Sequence, residues 1–144
     1  MSGSKQPLPT FPDLPWLQDR TILYVVHGSR AYGTHRPDSD YDFKGVAVAP
    51  VQYRDGFAHV FEQASLAEPD ATIFDLRKFM RLAADCNPNL VEVLWVADED
   101  RLVCTPAGDK LVQARARFLS RKARHTFSGY ALSQLKRIHT HHKW

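Results

Sequence analysis

Residues 21–49 read TILYVVHGSRAYGTHRPDSDYDFKGVAVA, and this stretch decides the fold. Its first seven residues, Thr21 to His27, are β-branched, aromatic and apolar, which is typical of a buried strand. The pattern breaks at Gly28-Ser29, where glycine permits a tight turn and lets a ligand approach the backbone without a Cβ in the way. Ser29 adds a hydroxyl and an amide that can donate to a phosphate oxygen. These residues predict a phosphate-sized loop at a strand end.

The second half of the stretch predicts a strand that begins with two carboxylates. Residues 41–49 are mostly apolar, and residues two apart in a strand share a face. Asp40 and Asp42 therefore point the same way, and Lys44 continues that face. Two carboxylates so close repel each other unless a cation or a proton lies between them, and a hard divalent ion is the usual partner of oxygen ligands. The spacing predicts a metal site.

Each half of the stretch also has an ordinary interpretation. Gly-Ser after a strand occurs in common turns, and residues 37–40, Pro-Asp-Ser-Asp, alone fit a solvated loop. The loop lacks the Gly-Lys-Ser/Thr of a Walker A motif, and it is not the dinucleotide-binding G-x-G-x-x-G. The succession of the two halves is what favours a functional site over a turn.

Gly28-Ser29, a short loop and then Asp40-Tyr41-Asp42 resemble the signature of the DNA polymerase β-type nucleotidyltransferase superfamily, hG[GS] followed by Dh[DE]h. The longer strings GSRAYGT, SDYDFKGV and DLRKFMRLAADCNPNLVEVLW are similar to one branch of predicted bacterial and phage nucleotidyltransferases. The resemblance runs from Tyr24 to Val96 and extends weakly into the C-terminal region. It implies an α/β (α+β) fold, with a nucleotidyltransferase-type mixed β-sheet, flanking helices and a basic helical C-terminus.

The resemblance also implies a reaction. Members of the superfamily bind a nucleoside triphosphate with Mg²⁺, and an acceptor group attacks the α-phosphate with release of pyrophosphate. Such chemistry uses two metal ions, and Mn²⁺ is an alternative to Mg²⁺. Carried over to this chain, Gly28 and Ser29 hold the triphosphate, and Asp40 and Asp42 ligate the metal. Two further candidates, Arg30 and Lys44, would neutralise phosphate charge.

Such a site needs a third carboxylate on a neighbouring strand, and two residues compete for that place. Asp70 stands at the mouth of a short predicted strand, residues 70–74. Asp75 precedes an amphipathic helical pattern that starts at Leu76, which makes it a natural N-cap. The related branch carries an acidic residue at the position of Asp70 and a serine at that of Asp75. We therefore predict Asp70 as the third metal ligand, while Asp75 and, less favoured, Glu68 stay open as alternatives.

Length and composition predict one domain in three segments. A chain of 144 residues with 44% hydrophobic content can bury one ordinary core. We expect a flexible N-terminal arm over residues 1–15, a nucleotidyltransferase core over residues 16–109, and a basic helical segment over residues 110–144 that ends as though truncated. The N-terminus has no apolar run of the signal-peptide type, and the two cysteines lack a metal-binding spacing. A cytoplasmic protein without membrane contact is expected.

The charge is unevenly distributed along the chain. Residues 110–144 hold nine Lys/Arg residues and no acid, whereas residues 1–109 hold ten Lys/Arg against sixteen Asp/Glu, so the net charge of +3 hides a basic tail on an acidic body. Such a tail can hold an RNA or DNA acceptor through its phosphates. It can equally be the solvated face of helices, because the apolar residues around it keep helical spacing.

The sequence as a whole predicts a nucleotidyltransferase that moves a nucleoside monophosphate from an NTP such as ATP to a hydroxyl acceptor. The acceptor is open between an RNA or DNA end, a small molecule such as an aminoglycoside, and a protein side chain. The last of these resembles small antitoxins that AMPylate a partner toxin. A different class of function is a non-catalytic nucleotide- or RNA-binding module of the same fold. Retention of Gly28-Ser29 with both Asp40 and Asp42 argues against that class.

Overall fold

The computed structural model describes residues 7–31, 33, 36, 40–57 and 59–141. The strands are β1 (Thr21–His27), β2 (Asp42–Ala47), β3 (Gln63–Leu66), β4 (Asp70–Asp75) and β5 (Arg101–Cys104). The α-helices are α1 (Leu17–Arg20), α2 (Val51–Asp55), α3 (Leu76–Ala84), α4 (Pro88–Val91), α5 (Pro106–Gln113) and α6 (Ala123–His141). Short 3₁₀ turns cover Gly28–Arg30, Glu92–Trp95, Asp98–Asp100 and Arg115–Phe118. Helices and strands are thus interspersed along the chain, which confirms the predicted α/β (α+β) class.

The five strands form one mixed sheet in the order β3-β4-β2-β1-β5. β1 pairs antiparallel with β2 and with β5, and β3 pairs antiparallel with β4. β2 and β4 are parallel, with Asp42 opposite Asp70 at one end and Ala47 opposite Asp75 at the other. Because the two strands run in the same direction, their first residues lie side by side at one end of the sheet.

Apolar layers cover both faces of the sheet, which explains why β1 is buried at all seven positions. One layer, here called the helix-side core, joins strand residues to the helices; it includes Leu23, Val25, Val46, Phe74, Phe79, Ala83, Leu90, Val93, Leu94, Leu111, Val112 and Phe118. The opposite layer, the N-terminal-side core, includes Phe11, Leu17, Tyr24, Val26, Phe43, Ala47, Ala49, Phe61, Ala71 and Ile73. Alternate strand residues feed the two layers, as the pleat of a strand requires.

The segment boundaries expected from the sequence differ from the observed packing in two places. Phe11 is 7% exposed and Leu14 packs against the same core, so the described part of the expected arm is fastened to the sheet by apolar burial. Residues 1–6 lie outside the described residues. The expected boundary at residue 109 falls inside α5, whose Leu111 and Val112 belong to the helix-side core. In the part of the chain that is described, no helix is long and apolar enough to cross a bilayer.

The end of α3 is tied to the C-terminal part of the chain through a cysteine. Cys86 has a φ of +54°, a left-handed conformation that turns the chain after the helix. Its buried thiol donates to the carbonyl oxygen of Phe118 at 3.0 Å and lies 3.3 Å from the Ser120 hydroxyl. The Ser120 contacts lower the pKa of the thiol. Next to it, the Lys122 ammonium donates to the Asp85 carboxylate at 2.7 Å.

Candidate active site

A row of polar side chains crosses three strands at one end of the sheet. His27 closes β1 and lies opposite Asp42, which opens β2; Asp42 in turn lies opposite Asp70, which opens β4. Neighbouring strands are about 4.8 Å apart, and directly paired residues share a face. Because Val46 belongs to the helix-side core, the side chain of Asp42, four residues earlier, lies on that same face of the sheet. Asp42 and Asp70 are therefore neighbouring residues on one face of the sheet.

The chemistry of these donors suits a hard cation. Asp40 and Asp70 are exposed and Asp42 is half-buried. No Lys or Arg among the described residues forms an ion pair with Asp40, Asp42 or Asp70. The described residues include no group of three His, Cys, Asp or Glu side chains already gathered around one metal-sized point. The ligand type and the strand placement fit Mg²⁺, and the side chains would have to converge on binding it.

The loop after β1 begins with a backbone conformation that favours glycine. Gly28 has a φ of +76° and opens the 3₁₀ turn Gly28–Arg30. A Cβ at this position would lie 3.4 Å from Oδ2 of Asp42, so the turn runs directly beside that carboxylate. Ser29 contributes its backbone to the turn, and its side chain lies outside what the structure describes. The predicted loop thus adjoins the predicted metal ligands.

The two predicted phosphate-binding cations lie on opposite faces of β2. The Arg30 guanidinium carbon is 3.9 Å from the centre of the Tyr41 ring, which stacks on Phe43 at 5.7 Å. Phe43 belongs to the N-terminal-side core, so Arg30 is held on the face away from Asp42. Lys44 is half-buried two residues after Asp42 and shares its face. Of the two cations, Lys44 is the one aligned with the carboxylates.

The competing carboxylate Asp75 lies at the far end of β4, roughly 16 Å from Asp70 at the rise of a strand. It is 6% exposed and accepts hydrogen bonds from the Arg77 amide at 3.0 Å and the Ala49 amide at 3.4 Å. The N-cap role predicted for Asp75 is confirmed. Glu68 lies exposed in the turn between β3 and β4.

Two residues without a role predicted from the sequence extend the row: His27 lies beside Asp42, and Glu92 lies beside His27. Nδ1 of His27 is 3.4 Å from Oδ2 of Asp42, and Nε2 of His27 is 3.8 Å from Oε2 of Glu92. Glu92 opens the 3₁₀ turn after α4, which starts with Asn87 as N-cap and Pro88 in the first turn. The available signal was a single polar residue within each of two apolar runs, LYVVH and LVEVLW.

The basic C-terminal segment separates into engaged and exposed side chains. The Arg115 guanidinium lies 4.2 Å above the Trp95 ring and donates to the Leu94 carbonyl oxygen at 3.4 Å, so it is part of the packing. Lys122 is paired with Asp85. The other exposed basic side chains in the described part of the segment are those of Lys110, Arg117, Arg121, Arg124, Lys136 and Arg137.

Comparison with known proteins adds one finding. The family described as RlaP, the RNA repair pathway DNA polymerase beta family, matches residues 11–144, which is nearly the whole chain. No curated protein and no solved structure matches the chain. The family match includes the Gly28 turn, the row formed by His27, Asp42 and Asp70, and the basic segment.

Proposed function

We propose, from the premise that this chain belongs to the RNA repair pathway DNA polymerase beta family, that it transfers a nucleoside monophosphate from an NTP to a hydroxyl acceptor. The observation that carries the proposal is the pairing of Asp42 with Asp70 across β2 and β4, beside the Gly28 turn. The acceptor oxygen forms a bond to the α-phosphorus, the bond from that phosphorus to the bridging oxygen breaks, and pyrophosphate leaves. The hydroxyl proton passes to solvent.

Asp40, Asp42 and Asp70 would hold Mg²⁺. Mn²⁺, the alternative ion, would serve as the probe of this site. When bound, the metal supplies neutralisation of phosphate charge and activation of the acceptor hydroxyl. The positive φ of Gly28 lets the amides of the turn approach the triphosphate without an intervening side chain. Lys44, on the face of Asp42, would draw phosphate oxygens toward the carboxylate row. Arg30, held against Tyr41, would reach the triphosphate only by leaving that ring.

RNA is the acceptor that this proposal favours. The family description names an RNA repair pathway, and the exposed basic side chains of residues 117–137 can pair with phosphates. Neither argument applies to an aminoglycoside or to a protein acceptor. The expected substrate is therefore an RNA strand with a free hydroxyl at its end.

The test is transfer of label from each α-³²P NTP to a short single-stranded RNA in the presence of Mg²⁺. Asp42→Asn and Asp70→Asn should each lower transfer by at least about 100-fold, because each removes several kcal/mol of charge stabilisation. Asp75→Asn is the matched control, since asparagine still caps α3 and the residue lies at the far end of β4. Equal loss in the Asp70 and Asp75 variants would contradict the choice of Asp70.

A non-catalytic module is the second candidate. It is favoured by the separation of the three carboxylates, which are not gathered around one point in the described structure. Binding of RNA and NTP without transfer of label to any RNA end would support this candidate. Transfer that depends on Asp42 would exclude it.

A further inference from the structure

His27 lies between two carboxylates at the edge of the candidate site. Its ring nitrogens face Asp42 at 3.4 Å and Glu92 at 3.8 Å, and its side chain is only 7% exposed. Asp42 and Glu92 are more open, at 39% and 26%. The imidazole is thus enclosed by protein, while the carboxylates on either side of it reach solvent.

We propose that His27 and Glu92 are positioning residues for the metal ligand Asp42. This inference rests on the proposed function, because it assigns their role through the metal that Asp42 would hold. With a proton on Nδ1, the ring would donate to Asp42 across the 3.4 Å contact and so orient the carboxylate. Glu92, 3.8 Å from Nε2, would attract the other side of the ring electrostatically. Residues that orient a metal ligand in this way typically change metal affinity by 10- to 100-fold when they are removed.

Packing alone does not account for this arrangement. His27 ends a strand whose other six residues are buried, and Glu92 lies between Val91 and Val93, which are 2% and 1% exposed. Placing polar and ionisable groups in such surroundings costs free energy, and well-packed apolar residues are often as stabilising or more so. A role in stability would be served better by apolar side chains. The free-energy cost of burying His27 and Glu92 is explained if these two residues orient Asp42 as a metal ligand.

The unit also joins two separate layers of the molecule. Asp42 and His27 belong to the sheet, whereas Glu92 belongs to the turn that follows α4 in the helical layer. The direction of the Asp42 carboxylate therefore depends on how the helices lie against the strands. Asp70, which the described structure leaves without an ion-pair partner, has no such support.

The test measures Mn²⁺ binding to the protein by electron paramagnetic resonance, without nucleotide and therefore without turnover. His27→Leu should raise the Kd for Mn²⁺ by about 10- to 100-fold, and Glu92→Gln by about tenfold. His27→Asn should stay within a few-fold of wild type, because its amide nitrogen can take the place of Nδ1. Thermal unfolding of each variant reports whether the fold is retained.

Thr21→Val is the matched control. Thr21 is a buried polar residue of the same strand, at its opposite end, where its hydroxyl donates to the Leu17 carbonyl oxygen at 2.7 Å. This variant should lower stability and leave the Kd for Mn²⁺ unchanged. Loss of Mn²⁺ binding that merely follows loss of stability across all four variants would overturn the positioning role.

Two further results separate this inference from the proposed function. Mn²⁺ binding that is lost in Asp42→Asn but unchanged in His27→Leu and Glu92→Gln would overturn the positioning role and leave the metal site in place. If His27→Leu does not fold, His27→Asn and Glu92→Gln decide the matter by the same comparison. Absence of Mn²⁺ binding by the wild-type protein would overturn both proposals.

Discussion

At the scale of single residues, the hydroxyl of Tyr24 is a local weakness of the core. Tyr24 is fully buried between β1 neighbours and the stacked ring of Phe43, and among the described residues its hydroxyl has no hydrogen-bond partner. An unsatisfied buried donor costs about 1–3 kcal/mol. The ring supplies the packing, and the hydroxyl detracts from it.

Tyr24→Phe should therefore raise the free energy of unfolding by about 1 kcal/mol at pH 7. Burial raises the pKa of the Tyr24 hydroxyl. Its ionisation therefore leaves the free energy of unfolding unchanged below the unfolded pKa of about 10 and lowers it as the pH rises above that value. The gain from the substitution should grow between pH 10 and 11. Urea unfolding at both pH values measures it. The exposed Tyr130→Phe is the control, and an equal effect there would contradict the argument.

Gly28 and Gly33 allow the effect of backbone strain to be separated from the effect of contact with Asp42. Gly28 and Gly33 have φ values of +76° and +66°, so alanine at either position costs about 1–2 kcal/mol of backbone strain. Among the described residues, an added Cβ at Gly28 would contact Asp42, whereas at Gly33 it would meet no atom within 4 Å. We expect similar losses of stability by urea unfolding. Weaker Mn²⁺ binding should be confined to Gly28→Ala, and its absence there would separate the turn from the metal site.

At the scale of elements, β4 has a carboxylate at each end, Asp70 where the strand begins and Asp75 where it ends. Asp75 binds the first turn of α3 and the amide of Ala49, just past the end of β2. A slip of one residue between β2 and β4 would turn Asp70 to the other face of the sheet. The buried cap therefore holds the register that keeps Asp70 beside Asp42.

Asp75→Ala should lower the free energy of unfolding by about 1–2 kcal/mol, the usual effect of removing an N-cap side chain. Asp75→Asn should lose less, because asparagine caps nearly as well. Denaturant titration followed by circular dichroism compares the two. If both variants lose the same amount, the charge rather than the cap is the stabilising feature.

The sequence predicted the elements whose patterns are local and strong. β1 begins and ends where the apolar run does, β4 starts at Asp70, and α3 follows its cap. β3 and β5 are four-residue strands at the edges of the sheet, half-exposed, and therefore lack the apolar run that marks a buried strand. The approach of Glu92 to His27 could not be foreseen, because it depends on how the helical layer packs on the sheet.

At the scale of the whole molecule, the basic tail, residues 110–144, is the segment that we propose meets RNA. The basic residues of the tail differ in their surroundings. Arg115 packs on the Trp95 ring, whereas Arg117, Arg121 and Arg124 are exposed. The structure thus narrows the set of cations that can meet a phosphate. Residues 1–109 carry all sixteen acidic residues of the chain.

Replacing Arg117, Arg121 and Arg124 by glutamine should weaken binding of single-stranded RNA. If all three contact phosphates, the slope of log K against log salt should become shallower by about 2, at about 0.7 per contact. Fluorescence anisotropy at several salt concentrations measures both quantities. Arg115→Gln should instead lower stability with little change in the slope. An unchanged slope in the triple variant would show that these three side chains face solvent and do not contact RNA phosphates.

The hydrogen bond between Cys86 and Phe118 makes the reactivity of Cys86 a measure of how fast the C-terminal part of the protein opens. Of its two thiols, Cys104 is exposed and should react with a thiol reagent at once, whereas Cys86 is buried and can react only after that segment detaches. The slow phase of labelling would then report an opening rate rather than a chemical rate. Asp85→Asn, which removes the neighbouring contact to Lys122, should quicken the slow phase alone. Bound RNA, if it lies along the tail, should retard it.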